Sequence, residues 1–212
     1  MTDSRECAQC GGLFVPRREH ARFCSARCRV AWNRLNTGVP GTGDDVLDWS
    51  VTAMRDTTDR LLHACSQDRS ACHALISEAV WWSTMVDATM VRYHPDAYAA
   101  ALARRDLADR RGIEKTFGGL RFVRNRMGIK ADPEDFLEPA DGRPGEQVAN
   151  WTWKHVPRPG LSDLAPRARA WEQARHQAYQ AQLAGQRVGG TFSLAASFLA
   201  EAAERRLAPG RA

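Results

Sequence analysis

Ala71-Cys-His-Ala-Leu-Ile-Ser-Glu-Ala-Val-Trp-Trp-Ser-Thr-Met-Val-Asp-Ala-Thr-Met-Val-Arg-Tyr93 carries the strongest helical pattern in the chain. Leu75, Ala79, Trp82, Val86 and Met90 recur every three or four residues, and Ile76, Val80 and Trp81 widen the stripe beside them. That face is broad enough for a helix at the centre of a bundle. Asp87 interrupts it between Val86 and Ala88. A carboxylate taken out of water requires a partner, and Arg124 or Arg126 is the expected one.

The flanking segments read as further helices. Asp44 or Asp45 can cap a run to about Ser66, and proline starts another from Pro95 to Arg111. A run from about Ile113 to Arg126 follows, with Gly118-Gly119 expected to interrupt it. From Ala131 to Asn150 three prolines, two glycines and six acidic residues predict a loop. Trp151-Thr-Trp153 alternates like a short extended piece, and helical runs over about Leu161–Leu183 and Thr191–Leu207 close the chain. The expected fold is mainly α: a helical bundle of four to six helices over residues 45–212.

Composition bounds the rest. With 212 residues, 43% of them hydrophobic and 26% charged, the chain has globular rather than disordered composition. No apolar run approaches the roughly 18 residues of a membrane span, and no export signal pattern opens the sequence, so the expectation is a cytoplasmic protein with no membrane partner. The net charge of +5 is small. Its distribution is uneven: residues 1–40 hold seven arginines against Asp3, Glu6 and Glu19. There is no phosphate loop, dinucleotide glycine motif or nucleophile motif.

The same N-terminal stretch carries four of the six cysteines, as Cys7-x2-Cys10 and Cys24-x3-Cys28 with thirteen residues between the pairs. Reduced thiols at such spacing point to a metal site, the alternative being unliganded thiols or a transient redox pair. Gly11-Gly12 follows the first pair, and Ser25 can cap a helix to about Leu35 that places Cys24 and Cys28 toward one ion. Four thiolates leave no open position, so the site is structural. Cys65 and Cys72 are expected to flank a helix junction. Residues 1–36 form the cysteine module, and Thr37–Asp44, rich in glycine and proline, reads as a linker.

Phe14, Pro16, Arg18, Arg22, Phe23, Cys24, Ser25, Cys28 and Arg29 stand where small treble-clef-like zinc fingers with a Phe-Cys-Ser second knuckle have the same residues. This stretch resembles them, which implies one structural zinc ion. It leaves the partner open, since such fingers bind nucleic acid, bind proteins or staple a terminus. Arg17, Arg18, Arg22, Arg27, Arg29 and Arg34 are the candidate phosphate contacts. Four thiolates around zinc carry a formal charge of about minus two, so some of these arginines balance the site itself.

The second chemical segment is Gly119-Leu-Arg-Phe-Val-Arg124-Asn125-Arg-Met-Gly-Ile-Lys130. A guanidinium beside an amide, with an ammonium just beyond the helix, could grip a phosphodiester. The segment resembles the HEPN family of α-helical nucleotide-binding and ribonuclease domains, whose motif is an arginine, a polar residue and then a histidine four to six positions on. Arg124 and Asn125 match, and Lys130 takes the place of the histidine. The resemblance implies a homodimer with facing motifs and a metal-independent endoribonuclease site at Arg124, Asn125 and Lys130. An ammonium with pKa near 10.4 is a poor general base at neutral pH, so binding with weak or no cleavage is the expected outcome. The reading is therefore a zinc-binding protein with a nucleic-acid partner, RNA favoured over DNA. Its alternatives are an active ribonuclease of a toxin or defence system, and a protein-interaction adaptor whose zinc is purely structural. Trp151 and Trp153 are expected in the core, with base stacking the alternative.

Overall fold

A computed structural model describes residues 4–16, 21–29, 32, 42–64, 68–127, 131–139, 147–158, 160 and 165–206. The chain divides into two compact units, Met1–Val46 and Leu47–Ala212. No helix among the described residues is long and apolar enough to cross a membrane.

The first unit is small. Strands β1 (Arg5–Glu6) and β2 (Leu13–Phe14) pair antiparallel, with Arg5 opposite Phe14. Between them the chain turns at Gly11, whose φ of 69° lies in the left-handed region that glycine enters without steric cost. A helical turn covers 26–29.

The second unit is mainly helical, as expected. Its helices are α1 (Thr42–His63, which begins in the first unit), α2 (Arg69–Tyr93), α3 (Pro95–Ala103), α4 (Leu107–Arg126), α5 (Pro166–Gln182) and α6 (Val188–Arg206). A two-stranded hairpin of β3 (Leu137–Glu138) and β4 (Thr152–Trp153) sits between α4 and α5 in sequence.

Several boundaries differ from the sequence reading, each for a local reason. Helix α1 spans Thr42–His63, so Asp44 and Asp45 stand within the helix rather than ahead of its first residue. Its buried line is Leu47, Met54 and Leu61, while Val46 and Trp49 face water. The run expected from Pro95 to Arg111 is two helices, because the Asp106 carboxylate accepts from the Asp109 backbone N–H at 2.8 Å and starts α4 there. Gly118 and Gly119 do not interrupt α4. A Cβ on Gly119 would come within 2.9 Å of Leu183 Cδ1 and 3.0 Å of the Tyr179 backbone, and one on Gly118 within 2.9 Å of Ala178 Cβ. The glycines are the surface on which α5 seats.

This close approach fixes the pairing of α4 and α5. Gly112 lies by Gln182, Gly118 by Ala178, and Asn125 and Arg126 by Glu172, so the two helices run antiparallel. Phe122 packs against Tyr179, and Phe117 against Phe198 of α6. Each fully buried ring of this kind contributes about 1.5–3 kcal/mol. Trp151 and Trp153 belong to the core: they are 3% and 0% exposed, and the Trp153 indole N–H donates to Thr191 Oγ1 at 3.0 Å. Cys72 is buried in α2, and Cys65 lies outside the described residues.

Candidate functional site

Two places concentrate chemistry, one in each unit. In the first, the Cys7, Cys10, Cys24 and Cys28 sulfurs lie within 4.8 Å of one another and could hold a metal ion. Local backbone bonds bring them together. The Cys7 N–H donates to the Gly12 carbonyl at 3.0 Å, the Gly11 N–H to the Cys7 carbonyl at 2.9 Å, and the Ala8 N–H to the Arg22 carbonyl at 3.0 Å. The last bond ties the two cysteine pairs. Ser25 Oγ accepts from the Cys28 N–H at 3.2 Å, the cap expected of it.

The distances suit a closed four-sulfur site. Metal–sulfur bonds of about 2.3 Å in a tetrahedron separate the sulfurs by about 3.8 Å. Cys10 Sγ lies 3.7 Å and Cys28 Sγ 3.5 Å from Cys24 Sγ. The electrostatics point the same way. The Cys24 backbone N–H, 3.4 Å from Cys7 Sγ, is the main cause that lowers the Cys7 thiol to about 6. The surrounding Cys28, Cys7 and Cys10 sulfurs push Cys24 up to about 12. A bound cation would favour the thiolate form at all four sulfurs.

Of the arginines expected to meet phosphate, Arg27 and Arg29 are exposed on the 26–29 turn. The Arg22 guanidinium lies 5.4 Å from the Trp32 ring centroid and 5.8 Å from that of Phe23, so its charge is partly engaged by aromatic faces. Arg17, Arg18 and Arg34 lie outside the described residues.

The other place is the C-terminal end of α4 where it meets α5 and α2. Asp87, fully buried on α2, is paired with neither Arg124 nor Arg126. It accepts from Arg121 and, at 2.9 Å, from the Tyr98 hydroxyl. Arg121 and Arg124 are three residues apart and so share a face of α4; Arg121 makes the contact, while Arg124 acts on Asp87 through its charge alone. Burial raises the Asp87 carboxyl above its ordinary value, and the Arg121 charge only partly offsets this.

Arg126 goes to α5 instead. Its Nε donates to Glu172 Oε1 at 3.0 Å, with 14% and 10% of the two side chains exposed. Glu172 also accepts from Asn125 Nδ2 at 3.4 Å and pairs with Arg175 at 3.6 Å. Arg124 is half-buried between these pairs, and no hydrogen bond or ion pair reaches its guanidinium among the described residues. Burial, then the Arg175 and Arg121 charges, lower its pKa, and the Asp87 charge raises it by less. A guanidinium desolvated beside two others is a place where an anion gains the most.

Of the expected trio, Arg124 and Asn125 are neighbours at this cluster and Lys130 lies outside the described residues. The nearby His176 has Nε2 bonded to the Val156 carbonyl at 2.9 Å. Arg121, Glu172, Arg175 and Trp171 went unassigned in the sequence. Arg167, Trp171 and Arg175 recur every four residues on α5, and that spacing was a legible signal. No family model, curated protein or solved structure matches this chain.

Proposed function

We propose that this protein binds nucleic acid, RNA favoured, at the arginine cluster of α4 and α5, with zinc holding the N-terminal cysteine unit in shape. The observation that carries the reading is Arg124: half-buried, without a carboxylate of its own, and flanked by Arg121 and Arg175. Phosphate supplies the missing charge, and Asn125 beside it adds an amide. Zinc suits the first unit because an all-sulfur tetrahedral set is the donor chemistry that this ion takes in structural sites. Arg27 and Arg29 add exposed cations there.

Hydrolysis is not part of the reading. Cleavage of RNA needs a group that removes the 2′-hydroxyl proton near neutral pH, and a lysine at position 130 supplies charge rather than basicity. The nearby imidazole of His176 is tied to a backbone carbonyl.

The test is a salt titration of the zinc-loaded full chain with a labelled single-stranded RNA. Four engaged arginines give a log affinity against log salt slope of about −2.8 and a loss of about fifty-fold between 50 and 200 mM salt. A flat response contradicts the reading. A protein-adaptor function is favoured instead by one observation, the exposure of Trp49 and Trp81 at 61% and 52%. It predicts partner binding that persists across that salt range.

A further inference from the structure

Trp171 is an indole left in water inside a row of guanidiniums. It is 55% exposed, whereas Trp151 and Trp153 are buried. Arg167, one turn earlier on α5, places its guanidinium carbon 4.8 Å from the Trp171 ring centroid, and Arg175 lies one turn later. Each step of four residues advances about 6 Å along the helix. Arg175 lies 3.6 Å from the Glu172 carboxylate, which also accepts from Asn125 of α4 at 3.4 Å, so the row on α5 continues onto the end of α4 beside Arg124. The carboxylate of Glu172, the one acidic residue of α5, is buried; it bonds Arg126 at 3.0 Å and pairs at 3.6 Å with Arg175, whose side chain stays 31% exposed.

We propose that Trp171 is a stacking platform for an unpaired base of a single-stranded nucleic acid, whose adjoining phosphates lie on Arg175 and Arg124. This rests on the nucleic-acid reading above and adds a substrate class to it: unpaired strands rather than duplex. The warrant is the alternation of charge and aromatic ring. A nucleotide presents a flat π surface and an anion in every repeat, and this stripe presents an indole between cations. An acidic peptide would satisfy the arginines and leave the ring without use. Arg167 holds the indole from one side by a cation–π contact, which limits the order that must be imposed on binding. The other well-exposed indoles, Trp49 and Trp81, have no guanidinium stacked on them among the described residues. Trp49 instead packs edge-on against Trp82, with centroids 5.1 Å apart.

The experiment compares wild type, Trp171→Phe and Trp171→Ala by anisotropy on three labelled probes: a single-stranded RNA, a fully abasic strand of the same length, and the RNA duplex. The exposed position makes both variants compatible with folding, which far-UV circular dichroism checks. On the base-bearing strand Trp171→Ala is expected to lose between about 5- and 100-fold in affinity, with Trp171→Phe between it and wild type and the salt slope unchanged. On the abasic strand and the duplex the three proteins are expected to bind alike. Equal affinities of wild type and Trp171→Ala on the base-bearing strand, with salt dependence intact, overturn the stacking role alone. So does an equal loss on the abasic strand. Absence of salt-dependent binding to every probe overturns the nucleic-acid reading and this inference together.

Discussion

Arg126 Nε donates to Glu172 Oε1 at 3.0 Å, and this bond joins the end of α4 to the start of α5. It also takes up a carboxylate close to Arg124, while Asp87 is taken up by Arg121. Truncating Glu172 therefore has two expected effects. Glu172→Ala leaves Arg126 desolvated without a partner and lowers stability by about 2–3 kcal/mol in urea denaturation. It also raises the positive charge at Arg124, so affinity for RNA, measured well below the melting temperature, rises. Unchanged stability contradicts the structural role.

The glycines of α4 separate into two kinds. At Gly119 an alanine methyl meets Leu183 and the Tyr179 backbone at 2.9–3.0 Å, and the resulting displacement of α5 is expected to cost about 1–3 kcal/mol. At Gly112 the nearest atom is Gln182 Nε2 at 3.6 Å, an ordinary contact. Gly112→Ala should therefore stabilise by about 0.5–1 kcal/mol through helix propensity. Thermal melts of the two variants should move in opposite directions.

How much of this was legible in the sequence depends on the range of the interaction. The helices were, because Leu75, Val86 and their neighbours recur at helical spacing, and so was the cysteine set, because its spacing is local. Gly118-Gly119 reads as an interruption by propensity, which is a local rule, whereas the contact that uses those glycines comes from a helix some sixty residues later. The partner of Asp87 was misassigned for a related reason. Arg121 and Arg124 share a face of one helix while Arg126 points to another, and only the packing of α4 on α2 determines which guanidinium reaches Asp87. The four-residue spacing of Arg167, Trp171 and Arg175 is legible in the sequence, whereas Glu172 joins the site only because α5 lies along α4.

Asp87 should leave a signature in the pH dependence of stability. Its folded pKa is raised by burial, so the folded chain binds that proton more tightly than the unfolded chain. The stability contributed by protonated Asp87 is present in acid and is lost as pH rises from the ordinary carboxylate value near 4 through the raised folded value. Urea denaturation across this window should show wild type losing stability relative to Asp87→Asn as pH increases, with a plateau beyond it. A difference that grows in favour of wild type would mean that the Arg121 charge outweighs burial.

Metal should be stoichiometric and held by sulfur. One zinc per chain is expected by elemental analysis, with cobalt substitution giving the absorption of a tetrahedral thiolate site. Cys10→Ser and Cys28→Ser should each weaken retention against a chelator while the helical signal of α1–α6 persists. Full retention in both variants contradicts the four-sulfur assignment.

Arg124→Gln tests the central claim most directly, because the side chain has no ion pair to lose among the described residues, and its removal relieves repulsion from Arg121 and Arg175 that outweighs the attraction of Asp87. The measurement is affinity for single-stranded RNA as a function of salt, beside a thermal melt. The expected result is an affinity reduced about tenfold near 100 mM salt, a slope shallower by about 0.7, and a melting temperature equal to or above that of wild type. Wild-type affinity and slope in Arg124→Gln would contradict an anion site at this position.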